Sequence, residues 1–484
     1  MAESLKAKTA KGIVWSSIER FSVQFIQLVI QILIARILTP EDFGIIGMLA
    51  IFLAIAQSFI DSGFSNALIR KVDRTEVDNS TVFYFNIVVG TFFYAILYFA
   101  APLIAQFYNT PILTPITRVI SLGILFNSLS IVQRAILTAK IDFKTQAKAS
   151  LIAVLISGVV GLYMAHAGYG VWALVWQAVL NYAINTVMLW MLTMWVPKLS
   201  FSISSFNEMF GFGSKLLLSG LLDTVFRNIY TIVIGKVYTS SDLGYFTKAN
   251  QFSQFPSSNL TGILQRVTYP MLCEFQNEDD RLRYVYRKYL RLSAYIIFPL
   301  MLGLAAVAHP LLVTILTYKW ECAVVLLQIL CVAMMWYPIH AINLNLLQVK
   351  GRSDLFLRLE IIKKTILVVI LCITIPMGVS WMCVGQIVSS LIALVINTYY
   401  TGKLIDLGFL KQMKDLIPAI LYSTSMGFVV YTSMTFIPYD IGKLSLGIVV
   451  GVIYYVIISM LTDSAEFKDL LSLMQLNKSK YNDK

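Results

Sequence analysis

The chain has 484 residues, of which 58% are hydrophobic and 13% are charged, and its net charge is +12. An ordinary soluble domain is roughly half apolar and about a quarter charged, and it lacks repeated apolar runs of about 20 residues. The composition therefore excludes a soluble protein and predicts an all-α polytopic membrane protein. The basic residues lie between the apolar runs rather than in one arm, so nucleic acid is not an expected partner.

Apolar stretches of membrane length predict about fourteen transmembrane helices. The N-terminus is basic like a signal peptide, but the following stretch is too long and too polar, so we expect a retained first helix. The first seven predicted spans lie near residues 13–37, 43–67, 81–105, 112–137, 148–167, 171–195 and 212–236. The other seven lie near residues 243–268, 291–316, 322–347, 356–376, 379–402, 415–437 and 441–462.

The connections between these spans differ strongly in charge when they are numbered alternately. One side receives most of the 38 Lys and Arg residues, including the basic stretch 266–291 and the tail lysines. The other side holds only Arg36, Lys236, Lys319 and Lys443. The positive-inside rule places the basic side in the cytoplasm, so we predict that both termini are cytoplasmic.

Two segments near the ends of the first and seventh spans resemble each other. Residues 34–44 read IARILTPEDFG and residues 234–244 read IGKVYTSSDLG, so that Thr39, Asp42 and Gly44 recur 200 positions later. A W-x4-Q spacing recurs in the same order, as WALVWQ and WMCVGQ, and APL and HPL give a weaker third match.

This internal repeat predicts the domain organisation. Repeats in a membrane transporter indicate paired lobes around a central path. We predict two six-helix lobes, residues 1–200 and 201–405, related by an axis along the membrane normal. Residues 406–484 then form two additional transmembrane helices and a cytoplasmic tail.

The first span carries a polar stripe. Arg20, Gln24, Gln27 and Gln31 are spaced 4, 3 and 4 residues apart, which places them on one face of a helix. Because intramembrane charge is costly, such a face is expected to contact protein or water rather than lipid. The stripe indicates the wall of a polar cavity. The alternative is that Arg20 extends to the interface and the glutamines bond a neighbouring helix.

The seventh and eighth spans are polar as well. Lys215, Ser219, Asp223 and Arg227 are spaced by four residues in the seventh span, where Asp223 and Arg227 also suit a structural ion pair. The eighth span is polar all round, and Pro256 predicts a kink. Its candidate cavity-lining residues are Lys248, Asn250, Gln251 and Gln254.

Motifs for catalysis are missing from the sequence. It contains no GxxxxGK[ST] loop, HExxH or GxSxG motif, and its three histidines show no ligand spacing. We therefore expect neither an enzyme nor a metal site nor a bound cofactor. Without an ATPase module, any energy source must be an ion gradient, the membrane potential or the substrate gradient.

Three strings carry a resemblance to a known family. They are ILIARILTPEDFGIIGMLAIFLAIAQSFIDSGFSNALIRK, FGFGSKLLLSGLLDTVFRNIYTIVIGKVYTSSDLGYF and VKGRSDLF. They resemble the polysaccharide-repeat flippases of the multidrug/oligosaccharidyl-lipid/polysaccharide exporter superfamily, in the colanic-acid or lipopolysaccharide exporter branch. The resemblance implies a V-shaped protein that alternates between inward-open and outward-open states. The implied substrate is an oligosaccharide repeat on undecaprenyl diphosphate, moved across the bacterial cytoplasmic (inner) membrane.

That substrate gives the polar residues expected roles. Arg20, Arg227 and Lys248 suit the diphosphate, and amides such as Gln24 and Asn250 suit sugar hydroxyls. The resemblance also implies an acid beside the first-helix arginine, which is Glu19 here. The candidates for binding a coupling H⁺ or Na⁺ are Glu19, Asp61 and Asp223.

Other functions stay open from the sequence. The main alternative is an ion-coupled small-solute or multidrug antiporter of the same superfamily. A membrane polymerase or ligase is disfavoured because the outer connections are short. Expected partners are the lipid-linked oligosaccharide and membrane lipid, with a polysaccharide polymerase or other assembly protein as a further partner.

Overall fold

The computed structural model describes residues 22–61, 64–71 and 73–472. In these ranges all regular secondary structure is helical. The first seven long helices are α1 (Ser22–Ile37), α2 (Pro40–Asp61), α3 (Glu76–Phe107), α4 (Leu113–Ala139), α5 (Phe143–His166), α6 (Val171–Thr193) and α7 (Ile203–Val237). A short helix, Phe64–Arg70, follows α2, and α4 consists of three consecutive segments.

The second seven helices continue the chain. They are α8 (Ser240–Glu274), α9 (Asp279–Ala306), α10 (Ala323–Val349), α11 (Ser353–Thr374), α12 (Val379–Ile405), α13 (Phe409–Met434) and α14 (Asp440–Leu461). A short helix, Ala308–Leu316, follows α9, and residues 465–472 form another after α14. Each predicted span therefore has a helical counterpart. Ten of the helical stretches in the described ranges are long and apolar enough to cross a membrane, which confirms a polytopic all-α membrane protein.

Several helices extend beyond the predicted apolar limits. Helix α7 begins at Ile203 because the Ser202 hydroxyl accepts a hydrogen bond from the Ser205 backbone N–H and caps the helix. Helix α9 begins at Asp279, well before the predicted residue 291, because the basic stretch is itself helical. Hydropathy marks the membrane-buried part of a helix and leaves out polar turns at its ends.

The chain separates into two compact units, residues 1–244 and 245–484. Helix α7, which the repeat assigns to the second predicted lobe, lies in the first unit and packs against α2. The lobe limits inferred from the repeat stay a prediction.

Close packing in the first unit depends on small residues of α5. A Cβ placed on Gly158 would lie 2.2 Å from the Ile30 Cδ1 atom, and one on Gly161 would lie 2.9 Å from the Gln177 Cβ atom. Both distances are too short for a real side chain. These two glycines therefore let α5 approach α1 and α6 closely, as small residues do in membrane helix packing.

The repeated segments adopt the same local structure. The Thr39 hydroxyl and backbone N–H donate to the Asp42 carboxylate at 2.8 and 2.9 Å. The Thr239 hydroxyl and backbone N–H donate to Asp242 at 2.7 and 3.2 Å. In both places the acid's own backbone N–H returns a hydrogen bond to the threonine hydroxyl. Each segment is thus a capping box that starts a long helix, α2 or α8.

The starts of α2 and α8 also touch each other through glycine. A Cβ on Gly44 would lie 1.7 Å from the Ser240 carbonyl oxygen, and one on Gly244 would lie 1.8 Å from the Pro40 carbonyl oxygen. The contact is reciprocal, because each glycine faces the first residue of the other helix. Only glycine permits such a close approach of two backbones.

Ion pairs join helices of the second unit at the ends where basic residues are concentrated. The Arg287 guanidinium of α9 donates two hydrogen bonds to the Asp415 carboxylate of α13, at 2.6 and 2.7 Å. The Asp415 side chain is 6% exposed. By contrast, Asp406 and Lys411 form an ion pair that is exposed to solvent. The Lys411 ammonium lowers the pKa of the Asp406 carboxyl below its usual value.

Candidate functional site

The polar stripe of α1 lies partly in the described structure. Gln24 and Gln31 are half-buried and Gln27 is exposed. Gln24 Oε1 is buried without a hydrogen-bond partner in the described structure. Glu19 and Arg20, which continue the stripe, lie outside the described residues. Their proposed roles therefore stay predictions.

Gln27 and Gln31 line a cavity inside the first unit. Its volume is about 230 Å³, and its walls come from α1, α2, α5 and α6. The polar side chains in the wall are Gln27, Gln31, Ser157, Gln177, Asn181 and Tyr182, and the apolar ones are Phe43, Ile46, Val154, Leu174 and Ala178. Two of the four residues of the predicted first-helix stripe thus line this partly open cavity.

The amides of this cavity are partly bonded to each other. Gln31 Nε2 donates to Gln177 Oε1 at 3.4 Å, and Asn181 Nδ2 donates to Ser157 Oγ at 3.2 Å. Within the described part of the chain, the Gln177 NH₂ group and Asn181 Oδ1 make no further hydrogen bond. Four amide and hydroxyl side chains from three helices therefore meet here, and some of their hydrogen-bond donors and acceptors are available to a ligand.

Asp223 and Arg227 of α7 form an ion pair. Arg227 Nε donates to Asp223 Oδ2 at 2.6 Å, one helical turn away. Both side chains are exposed, at 72% for Arg227 and 52% for Asp223. The side chains of Lys215 and Ser219 on the same stripe, and that of Asp61 on α2, lie outside the described residues.

The polar residues of α8 form two separate pairs. Lys248 is only 2% exposed and donates to Gln251 Oε1 at 3.3 Å. Gln254 is exposed and donates to Asn250 Oδ1 at 2.9 Å. Pro256 follows within the same helix. Lys248 is therefore buried in the structure, whereas Asn250 is half-buried and Gln254 is exposed.

A second cavity, in the second unit, is apolar. Its volume is about 480 Å³, and it lies among α8, α9, α13 and α14. Phe252, Leu300, Met426 and Val452 contribute one wall residue from each helix. The two helices that follow the predicted repeat thus help to enclose an apolar space.

A buried polar cluster joins α10, α12 and α13 in the second unit. Asn343 and Gln412 exchange two hydrogen bonds through their side-chain amides, each at 3.1 Å. The Thr401 hydroxyl donates to Asn343 Oδ1 at 2.7 Å. All three side chains are at most 1% exposed. Because its members bond one another, this cluster serves to hold three helices together.

Sequence reasoning missed half of the polar cavity. Ser157 is a single polar residue in the apolar span of α5, and Tyr182 gives no signal of its own. Asn181, however, lies four residues after Gln177 and four before Asn185, a spacing that places three amides on one face of α6. Gln177 did have a signal, because it belongs to the repeated W-x4-Q spacing. A polar residue that recurs at the same place in both halves of a membrane protein is a useful indicator of a site.

A family model described as "Polysaccharide biosynthesis protein" matches residues 33–325. This range begins in α1 and ends at the start of α10, so it includes most of the wall of the polar cavity.

Three curated relatives span most of the chain. The lipopolysaccharide biosynthesis protein WzxC of Escherichia coli (strain K12) is 25% identical over 366 residues, covering 74% of each chain. The teichuronic acid biosynthesis protein TuaB of Bacillus subtilis (strain 168) is 27% identical, covering 73% of each chain. The succinoglycan biosynthesis transport protein ExoT of Rhizobium meliloti (strain 1021) is 20% identical, covering 99% of this chain and 98% of its own.

Solved structures show the same fold. A structure titled "Lipid II flippase MurJ, inward closed conformation" superposes with a TM-score of 0.75 at 18% identity, over 95% of this chain and 100% of that one. An inward-facing multidrug resistance transporter of the MATE family gives a TM-score of 0.62 at 16% identity, over 80% of this chain and 98% of that one. The likeness extends through nearly the whole chain.

Proposed function

We propose a transport function for this chain from the premise that it belongs to the polysaccharide biosynthesis protein family. The chain flips an undecaprenyl-diphosphate-linked oligosaccharide repeat from the inner to the outer leaflet of the bacterial cytoplasmic membrane. It does so by alternating access, for lipopolysaccharide or exopolysaccharide export. The main support for this proposal is the family match, which covers more than half of the chain. The helices of the chain are also those of a polytopic membrane protein.

The relatives and the fold support this proposal. Two relatives are named for the biosynthesis of lipopolysaccharide and teichuronic acid, and a third for succinoglycan transport. The fold is also that of a protein titled a lipid II flippase. A protein of this kind moves its substrate without changing it covalently, so the proposed activity is transport and not catalysis.

The substrate head group gives the polar residues their proposed roles. Arg20, Arg227 and Lys248 supply positive charge to the diphosphate, for which charge-assisted hydrogen bonds are the strong interaction. Arg227 is exposed and Lys248 is buried in the structure. Lys248 must therefore be uncovered by a conformational change before it contacts substrate. The sugar hydroxyls are bound by Gln24, Gln27, Gln31, Asn250, Gln251 and Gln254.

Coupling to an ion gradient is the proposed energy source. The candidate groups for binding H⁺ or Na⁺ are Glu19, Asp61 and Asp223. Asp223 pairs with Arg227 in this structure, so a coupling role for it requires that the pair opens during transport. An exposed pair of this kind contributes little stability and is easily opened.

The proposed membrane orientation is inferred from the charges of the loops, and the proposed lobes from the internal sequence repeat. Both termini lie in the cytoplasm, and the lobes comprise residues 1–200 and 201–405, with residues 406–484 as an addition. Lipid-linked oligosaccharide and membrane lipid are the proposed partners, together with a polysaccharide polymerase or another assembly protein that takes up the exported repeat.

Deletion of the gene in its own bacterium tests the function. The flippase proposal predicts that surface polysaccharide is lost while repeats accumulate on their lipid carrier at the inner leaflet. Complementation with the wild-type gene is the control. Normal surface glycan with raised sensitivity to small toxic solutes would instead favour the antiporter alternative, for which the MATE-like fold is the supporting observation.

A further inference from the structure

We propose that the polar cavity among α1, α2, α5 and α6 binds one uncharged sugar ring of the substrate. This inference rests on the proposed function and adds a place and a chemical class of ligand to it. It also adds Ser157, Gln177, Asn181 and Tyr182 to the substrate-binding residues.

The chemistry of the wall selects the ligand class. None of the eleven described residues that line the cavity carries a charge, so a diphosphate would enter without a counter-charge from them. A polyprenyl chain is equally disfavoured, because it would cover amide and hydroxyl groups without bonding them. A sugar ring carries hydroxyls that both donate and accept hydrogen bonds, and its carbon faces suit the rings of Phe43 and Tyr182.

The residues that carry the unused hydrogen-bonding groups line the same space. Gln177 offers its NH₂ group and Asn181 offers Oδ1, while their other amide atoms are held by Gln31 and Ser157. Each side-chain amide is therefore oriented by one neighbour, and its other polar group is available to a ligand. A site whose polar groups are held in place before binding loses less entropy when the ligand arrives.

The size of the cavity limits the ligand to a single ring. Its volume of about 230 Å³ lies below the roughly 300 to 1,000 Å³ of pockets that hold drug-sized molecules. The walls cannot relax easily, because Gly158 and Gly161 already bring α5 into tight contact with α1 and α6. One ring of the repeat therefore enters, and the remaining sugars stay outside.

Binding measurements on the purified full-length protein in nanodiscs test the proposal. The two probes are lipid-linked glycan extracted from the deletion strain and undecaprenyl diphosphate without sugar. Gln177→Leu removes the reserve donor, and Ala178→Met fills the cavity without removing a polar group. Gln106→Leu, at an exposed position at the end of α3, is the matched control.

The expected result is a selective loss. Gln177→Leu weakens binding of the glycan-bearing lipid by about tenfold, the effect of losing one or two hydrogen bonds. Ala178→Met weakens it by at least about tenfold, because the larger side chain excludes the sugar ring. Binding of undecaprenyl diphosphate stays unchanged, and Gln106→Leu binds both probes like the wild type. Ala178→Met keeps the test decisive if Gln177→Leu does not fold.

Other outcomes distinguish failure of the proposed sugar site from failure of the proposed flippase function. If both variants bind the glycan-bearing lipid as tightly as the wild type does, or lose both probes equally, the cavity is not a sugar site. If the wild-type protein itself does not prefer the glycan-bearing lipid, the proposed flippase function fails instead.

Discussion

Charged side chains in the helices of this protein are held by partners of two kinds. Arg227 is paired with Asp223 one turn away on the same helix, and both are exposed. Arg287 is paired with Asp415 on another helix, and that carboxylate is nearly buried. The first kind of pair contributes little stability, whereas opening the second leaves a charge in a site that water hardly reaches.

The first prediction concerns the pair between α9 and α13. Asp415→Asn removes the negative charge that Arg287 binds through two hydrogen bonds, and we expect a loss of about 2 kcal/mol in the free energy of unfolding. Because Arg287 is 41% exposed, water replaces part of the lost interaction. The melting temperature in detergent measures the change. Asp406→Asn, in an exposed pair, is the control and leaves it unaltered; equal shifts for both variants would contradict the prediction.

Single residues also show how far sequence reasoning reaches into the site. The spacing of Gln24, Gln27 and Gln31 predicts one polar face, and two of these residues, Gln27 and Gln31, line the same cavity. It could not identify Ser157, because a lone polar residue in an apolar span gives no periodic signal. Asn181 did have such a signal in α6, because Gln177 and Asn185 lie four residues to either side of it. The hydrogen bond between Asn181 and Ser157 joins α6 to α5, and the sequence alone does not show that these two helices are in contact there.

Among the helices, the clearest constraint is the contact between the starts of α2 and α8. Sequence repetition predicts that the two segments are equivalent, and their capping boxes have the same hydrogen bonds. The sequence does not predict that they touch each other. The contact depends on Gly44 and Gly244, each of which faces a backbone carbonyl.

The second prediction is that this contact does not tolerate a methyl group. In Gly44→Ala the new Cβ must move roughly 1.5 Å or more to reach an ordinary carbon–oxygen distance, so the two helix starts separate. We expect a lower melting temperature and loss of most export activity, measured as surface polysaccharide in the complemented deletion strain. Gly244→Ala should have the same effect.

A glycine elsewhere on α8 provides the comparison for that prediction. A Cβ on Gly262 would meet no atom within 4 Å, so Gly262→Ala fits the structure. It also removes the backbone flexibility that glycine brings to a helix. Export at the wild-type level is therefore expected for Gly262→Ala. A matching loss in all three variants would show that helix flexibility, and not the close contact, is what matters.

On the scale of the whole molecule, apolar runs predict the helices of the chain well. Every predicted span has a helical counterpart because burial of about 20 apolar residues dominates the energetics of a membrane helix. The helix ends were harder to predict, since residues 279–290 are polar and helical at once. Their helix is stabilised by tertiary ion pairs such as that between Arg287 and Asp415, which composition does not reveal.

The third prediction tests the orientation of the chain. Alkaline phosphatase, which is active only outside the cytoplasm, is fused after Asn109, between α3 and α4, or after Lys140, between α4 and α5. We expect activity only for the fusion at Asn109, because the basic connections remain inside. Green fluorescent protein fused at the same sites should give the opposite pattern. Activity only at Lys140 would invert the topology.

The reciprocal contact of Gly44 and Gly244 has the symmetry of a contact between two identical chains. Each glycine meets the first residue of the opposite helix, so the contact is self-complementary in the way that an isologous dimer interface is. Such a contact forms naturally when two copies of one shorter protein meet on a two-fold axis. Fusion of two such copies would retain it. Because glycine has no side chain to shorten, a larger residue at either position could not be offset by a change at the other.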